Sequence, residues 1–284
     1  MPIAKINGGE INYTLTGSGP PLVQVPGAAT GIQGYMRITP MLSEHFTVLD
    51  FDPRGYGASS RADSYGFDLW AGDMAALIDH VGFDRFMFHG ASMGSTLALD
   101  FTARFPERVQ AMVLSGCTAK LDQMGKMQFR SWKAMAKAYG MGGPELATLM
   151  ATHSLSRNLL DLPEMGDGFV EYMAGQLAIT ASLEAYMAAC DYLIDVDVTD
   201  RLGRITVPTL IMAGDEDVIT PEVTGPTGCG ARAIHDGLTA CPLREYLVLK
   251  GSAHSNMRDV PDVCAEAIRS FAVRVGVLGA QAQG

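Results

Sequence analysis

Ser92 stands between two glycines, in the run His89-Gly90-Ala91-Ser92-Met93-Gly94-Ser95, where the apolar stretch Phe86–Phe88 gives way to helical spacing. A Gly-x-Ser-x-Gly pattern at a strand-to-helix junction is the signature of a nucleophile held on a sharp turn. Such a turn strains the serine backbone, and a side chain at either flanking glycine would strike neighbouring backbone. The hydroxyl is thereby held exposed above the sheet. The Met93 amide falls in the first turn of the following helix, where N–H groups lack helical partners and favour negative charge. Ser92 is therefore a candidate nucleophile, and the Met93 amide a candidate oxyanion donor.

A serine hydroxyl needs a base, and the base needs a group to orient it. Of the six histidines, His254 lies in the small-residue loop 249–257 (LKGSAHSNM), directly after an apolar strand pattern. That loop falls on the same sheet edge as Ser92. His89 adjoins the serine but ends a strand and is expected to turn into packing. His153 falls in a helical stretch, and His45, His80 and His235 lie outside any strand-end loop. For the orienting acid, the stretch 211–221 (IMAGDEDVITP) offers Asp215, Glu216 and Asp217 at another strand end. Residue types alone leave these three carboxylates open.

The elements that must position these groups are legible from periodicity. Apolar strand patterns at 3–6, 11–17, 21–25, 46–52, 85–89, 109–116, 209–215 and 245–251 alternate with helical spacing at 68–81, 93–105 and 262–275. Gly8-Gly9 is the expected turn of an opening hairpin. Near-continuous apolar strands alternating with helices predict an α/β fold: a mostly parallel sheet with helices on both faces and an antiparallel edge. Between Cys117 and about Arg201 no strand pattern occurs, and the stretch is rich in methionine. It is expected to be an inserted helical lid (118–202) on a core formed by 1–117 and 203–284. Ligands of such sheets bind outside the carboxyl ends of the strands, so a lid there would cover a site.

The strand-end loop 25–31 (VPGAATG), the segment 52–60 (DPRGYGASS), the serine turn, 208–221 (PTLIMAGDEDVITP) and 251–254 (GSAH) together resemble the α/β-hydrolase superfamily, in order and kind. The likeness covers about 1–117 and 205–276 and leaves the helical stretch divergent. It implies an acid at Asp217, counted from Gly214 with Pro221 behind it, and Asp215 as runner-up. It also implies that Ala28, in Pro26-Gly27-Ala28, supplies a second oxyanion amide. The family's usual histidine is proline at position 26, and Ser95 stands where a third glycine is common. Asp52 and Arg54 look like loop residues of the family with a structural role.

The implied reaction is acyl transfer to water by Ser92, His254 and Asp217, with Ala28 and Met93 holding the oxyanion and no metal or organic cofactor. The leading expectation is a serine hydrolase of a small ester or lactone. Carbon–carbon bond hydrolases of ring-cleavage products and cofactor-free perhydrolases resemble the same pattern. So do small-molecule receptors built on this fold. Ser92 argues against relatives with an aspartate nucleophile. The methionines suggest an apolar acyl pocket, and Tyr35, Trp132, Tyr172, Tyr186 and Tyr192 are candidate contacts or packing residues. The glycine-rich stretch 224–242 has no assignment beyond a site rim.

Composition narrows the remaining classes. The 284 residues carry a net charge of −10, with basic residues scattered, so nucleic acid is not an expected partner. No apolar run approaches the roughly 20 residues of a membrane span, and the opening residues predict no secretory leader. Five well-separated cysteines without a Cys-x-x-Cys pair predict reduced thiols and a cytoplasmic location, with Cys229–Cys241 left open as a disulfide. A homodimer is left open as well.

Overall fold

A computed structural model describes residues 1–166 and 168–279; the last five residues of the expected core, 280–284, lie outside the described residues. The chain opens with a hairpin of β1 (Ile3–Ile6) and β2 (Gly9–Thr16). Its turn is Asn7-Gly8, not the expected Gly8-Gly9. Ile6 pairs with Gly9 in the ladder, and Asn7 and Gly8 both take positive φ, at 47° and 71°. A two-residue hairpin loop with positive φ at both positions matches the strand twist, and Asn-Gly is the pair that tolerates it.

The sheet continues through β3 (Pro21–Val25), β4 (Thr47–Phe51), β5 (Phe86–Ala91), β6 (Val109–Ser115), β7 (Thr209–Gly214) and β8 (Arg244–Leu249). The spatial order is β1-β2-β4-β3-β5-β6-β7-β8. Pairings of β1 with β2 and of β2 with β4 are antiparallel, and all others are parallel. Alternate strand residues feed two separate buried clusters, as a period of two requires when both faces are covered. Val23, Phe86, Phe88 and Met112 pack on α2 (Phe67–His80) and α3 (Met93–Arg104). Leu22, Met87, Val113 and Met212 pack on α1 (Thr39–Leu42) and α10 (Pro261–Arg274). Every residue of β5 is buried, which puts its carboxyl end, and Ser92 after it, at the centre of the sheet.

Between β6 and β7 run α4 (Gln123–Tyr139), α5 (Pro144–Ser154), α6 (Arg157–Leu160), α7 (Phe169–Thr180) and α8 (Leu183–Asp195). Side chains cap three of these helices: Asp122, Ser156 and Ser182 accept from the third amide onward, at 2.9, 3.2 and 3.1 Å. The two ends of the insert meet. Lys120 forms backbone bridges to both Asp197 and Cys229, and its ammonium lies 2.7 Å from the Asp197 carboxylate. The loop after β4 holds the other side, with the Gly57 amide on the Thr180 carbonyl at 2.7 Å and the Ser182 amide on the Gly55 carbonyl at 2.8 Å.

The glycine-rich stretch is a clamp rather than a rim. Asp122 Oδ2 accepts the Gly225 amide at 2.7 Å, and a Cβ at Gly228 would sit 2.9 Å from the Asp122 backbone nitrogen. The stretch then turns into α9 (Ala231–Gly237). Cys229 and Cys241 are free thiols, as are the other three cysteines, so no disulfide joins them. Cys241 Sγ instead lies 3.0 Å from the Val207 carbonyl. Among the described residues, no helix is long and apolar enough to cross a membrane.

Candidate active site

Ser92 links β5 to α3 with φ 52° and ψ −119°. A non-glycine residue there is strained by about 1–3 kcal/mol and persists only when its surroundings over-determine it. Those surroundings are explicit. The Ser92 amide donates to the Ser115 carbonyl at 3.0 Å, and the Ser95 amide returns to the Ser92 carbonyl at 2.9 Å. A Cβ at Gly90 would lie 2.6 Å from the Gly94 carbonyl oxygen, and one at Gly94 would fall on the Val25 carbonyl. Both glycines are therefore required by close backbone approach. Ser95, in place of a third glycine, donates its hydroxyl to the Ser92 carbonyl at 2.5 Å and tightens the same turn.

His254 and Asp217 come together from two other strand ends. Asp217 Oδ2 accepts from His254 Nδ1 at 3.0 Å, and Asp217 is 5% exposed. Its other oxygen accepts the Ile219 and Thr220 amides at 2.8 and 3.0 Å. Burial pushes this carboxyl up, but His254 and the Thr220 donors outweigh it and hold the acid below the usual carboxylate range. Asp215 and Glu216 are engaged elsewhere: Asp215 accepts the Gly251 amide at 2.8 Å, and Glu216 accepts the Arg157 amide at 3.0 Å. Thr220 was not singled out by the sequence. Its hydroxyl donates to Asp217 Oδ2 at 2.8 Å and lies 3.1 Å from His254 Nδ1. The available signal was the Asp-x-x-Thr spacing of a turn in which the aspartate accepts forward amides.

The remaining histidines have structural partners or lie toward the surface. His89 is fully buried between Gln24 and Ser115, at 3.1 and 3.0 Å. His153 accepts the Trp132 indole N–H at 3.1 Å. The loop residues near β4 are structural too. Arg54 and Asp73 pair at 2.6 Å in the interior, and Asp52 accepts from Asn12 and from the Ile32 and Ala58 amides.

Ser92, His254 and Ala28 line one cavity of about 110 Å³ above the strand ends. Tyr56 donates to the Ala28 carbonyl at 2.7 Å, which fixes the orientation of that peptide. The roof comes from α4, α5 and α7 through Phe129, Trp132, Met150, Met173 and Leu177. Met124 and Met127 are exposed instead. Tyr35 also lines the cavity, whereas Tyr186 and Tyr192 pack away from it and Tyr172 is exposed. No residue of 224–242 contributes to the lining among the described residues. Arg258 does, and the sequence had not marked it. Among the described residues, no group of three or more metal-ligating side chains is assembled.

A family model described as the alpha/beta hydrolase fold matches residues 20–257. The 3-oxoadipate enol-lactonase 2 of Acinetobacter baylyi is 29% identical over 224 residues, covering 77% of this chain and 80% of that protein. The 2-hydroxy-6-oxo-2,4-heptadienoate hydrolase of Pseudomonas putida is 28% identical, covering 75% of this chain and 77% of that protein. The solved enol-lactonase from Burkholderia xenovorans superposes with a TM-score of 0.81 at 23% identity, over 96% of this chain and 100% of that one.

Proposed function

We propose, starting from the fact that this chain belongs to the alpha/beta-hydrolase fold family, that it is a serine hydrolase of small esters or lactones working through an acyl-enzyme. The observation that carries the reading is the strained Ser92 sharing a cavity with His254, whose Nδ1 is held by buried Asp217. With Nδ1 engaged, Nε2 is the nitrogen that takes the Ser92 proton as Oγ attacks the substrate carbonyl. The developing oxyanion accepts from the Met93 and Ala28 amides, each worth about 3 kcal/mol in systems of this kind. His254 then passes its proton to the leaving alcohol. A water attacks the acyl carbon, gives its proton to His254, and Ser92 recovers that proton as the acid leaves. Asp217 stays ionised throughout and stabilises the imidazolium.

We assign 118–202 as a lid on the core of 1–117 and 203–284. In support, the insert's ends are joined at Lys120 and Asp197, and its helices supply the apolar roof. The free thiols support the reading of a cytoplasmic protein. Hydrolysis of a carbon–carbon bond with the same three residues is the second reading, favoured by the likeness to the heptadienoate hydrolase.

The deciding measurement is steady-state turnover of aryl esters of increasing acyl length, several lactones and a coloured dienoate, on the wild type and on Ser92→Ala. Ester or lactone turnover that falls by about 10³-fold or more in Ser92→Ala is the expected result. Turnover of the dienoate alone would replace the ester reading with the second one. Wild-type rates no higher than those of Ser92→Ala on every substrate would overturn both.

A further inference from the structure

The walls of the cavity are largely apolar, yet one lining side chain carries a fixed charge. Arg258 lines it together with Ser92 and His254, and no aspartate or glutamate lines it among the described residues. Desolvation lowers the affinity of this guanidinium for its proton, and nearby Arg37 adds to the effect, against opposing contributions from Tyr172 and Asp259. A desolvated cation is costly unless an anion compensates it. Among the described residues, Arg258 forms no ion pair. Among the described residues its side chain hydrogen-bonds only the thioether of Met173, at 4.0 Å, a weak acceptor.

The adjacent carboxylate is committed elsewhere. Asp259 Oδ1 accepts the Ser156 amide at 3.0 Å, and Oδ2 accepts the Ala253 amide at 2.6 Å and the Ser252 hydroxyl at 3.3 Å. It therefore holds the His254 loop in place and offsets the charge of Arg258 only in part, without an ion pair. Arg37 brings a second positive charge to the other side, donating to the Arg258 carbonyl at 2.6 Å. A protein of net charge −10 thus keeps in the wall of its candidate site a guanidinium without an ion-pair partner among the described residues.

We infer that the substrate carries a carboxylate of its own, separated from the scissile ester or lactone by a short apolar chain, and that Arg258 binds that carboxylate. The inference rests on the hydrolase reading above and narrows its substrate class. Arg258 suits the role because its planar fork matches a carboxylate in two parallel hydrogen bonds. Met150, Met173 and Leu177 would receive the connecting methylenes. A short dicarboxylic half-ester or a carboxylated lactone meets both requirements.

The test compares two aryl esters of matched length, the monoester of glutaric acid and the ester of valeric acid, on wild type, Arg258→Met and Arg258→Lys. The wild type is expected to favour the glutarate ester in kcat/KM by on the order of ten- to a hundred-fold, the range for a hydrogen bond to a charged group. Arg258→Met should lose that preference chiefly through KM, and Arg258→Lys should retain part of it. Turnover of both esters without a preference for the charged one, or a preference unchanged in Arg258→Met, would overturn the anion site and leave the hydrolase reading standing.

Titration of free glutarate by calorimetry separates the two claims if neither ester is turned over above the Ser92→Ala level. Binding to the wild type at least about ten-fold tighter than to Arg258→Met would then support the carboxylate site although the hydrolase reading had failed. Equal or undetectable binding to both would sink it.

Discussion

At the scale of single residues, Thr220 is the group whose role is sharpest and least visible beforehand. Its hydroxyl proton is spent on Asp217 Oδ2, and its oxygen sits 3.1 Å from His254 Nδ1. Hydroxyl, carboxylate and imidazole thus lock one tautomer and one ring orientation. Removing the hydroxyl leaves the two backbone donors to Asp217 in place, so the fold should survive. Thr220→Val is expected to lower kcat by about ten-fold, the usual value of one hydrogen bond to a charged group, while Thr220→Ser stays near wild type. Asp217→Asn should lose far more, on the order of 10⁴-fold, because the amide favours the wrong tautomer. Equal rates for the valine and serine variants would remove Thr220 from the positioning of His254. Ser92 and His254 were legible because strand-end motifs are local. Choosing Asp217 among three neighbouring carboxylates needed the family likeness, and Arg258 became visible only once the lining was known.

At the scale of elements, the strands beneath the serine turn carry a buried polar chain that periodicity cannot show, because period-two patterns mark only which face a residue takes. Thr39 Oγ1 lies 2.9 Å from Asp50 Oδ2 and 2.7 Å from Gln24 Oε1, yet it has one proton to give. Burial, opposed by the Thr39 hydrogen bond and aided by Asp52, raises the Asp50 carboxyl to about 7. Where Asp50 is protonated, below about 7, it can donate to Thr39, which then donates to Gln24. The Gln24 amide then donates to His89 Nδ1, leaving Nε2–H for Ser115. The Ser115 carbonyl also holds the Ser92 amide, so this chain backs the serine turn. Burial drops His89 to about 3 from an ordinary 6.5. The unfolded chain therefore binds the extra proton first, and the stability contributed by neutral His89 is lost as pH falls below 6.5. Asp50 works in the opposite sense, contributing most below 3.8 and losing its contribution as pH rises toward 7. Urea unfolding of the wild type and His89→Gln isolates the histidine. The stability advantage of the wild type should shrink by about 1.6 kcal/mol between pH 6.5 and 5, the slope approaching about 1.4 kcal/mol per unit as the unfolded imidazole becomes fully protonated. An advantage that stays constant over that range would mean His89 is not held neutral by burial.

At the scale of the whole molecule, the two-faced core, though not the order of the strands within the sheet, followed from alternation of apolar runs, which is why the parallel sheet was expected. How the helical insert attaches to it was not, because that depends on contacts between residues a hundred positions apart. Asp122 is the clearest such contact. One carboxylate oxygen caps α4 through the Gly125 amide at 2.9 Å, and the other holds the glycine-rich stretch through the Gly225 amide at 2.7 Å. A single side chain thus fastens the first helix of the cavity roof to the segment between Asp217 and β8. Asp122→Ala removes an N-cap worth about 1 kcal/mol and a hydrogen bond to a charged acceptor worth about 1.5 kcal/mol, so stability should fall by about 2.5 kcal/mol. Asp122→Asn keeps one accepting oxygen and should lose about half of that. Hydrogen exchange should quicken first at the Gly125 and Gly225 amides, before the sheet amides respond, because the strands keep their own ladders. Unchanged exchange at Gly225 in Asp122→Ala would show that the other contacts between insert and core, among them the Lys120 bridges, the Gly55–Gly57 contacts and the Ser156 amide on Asp259, hold the roof without Asp122.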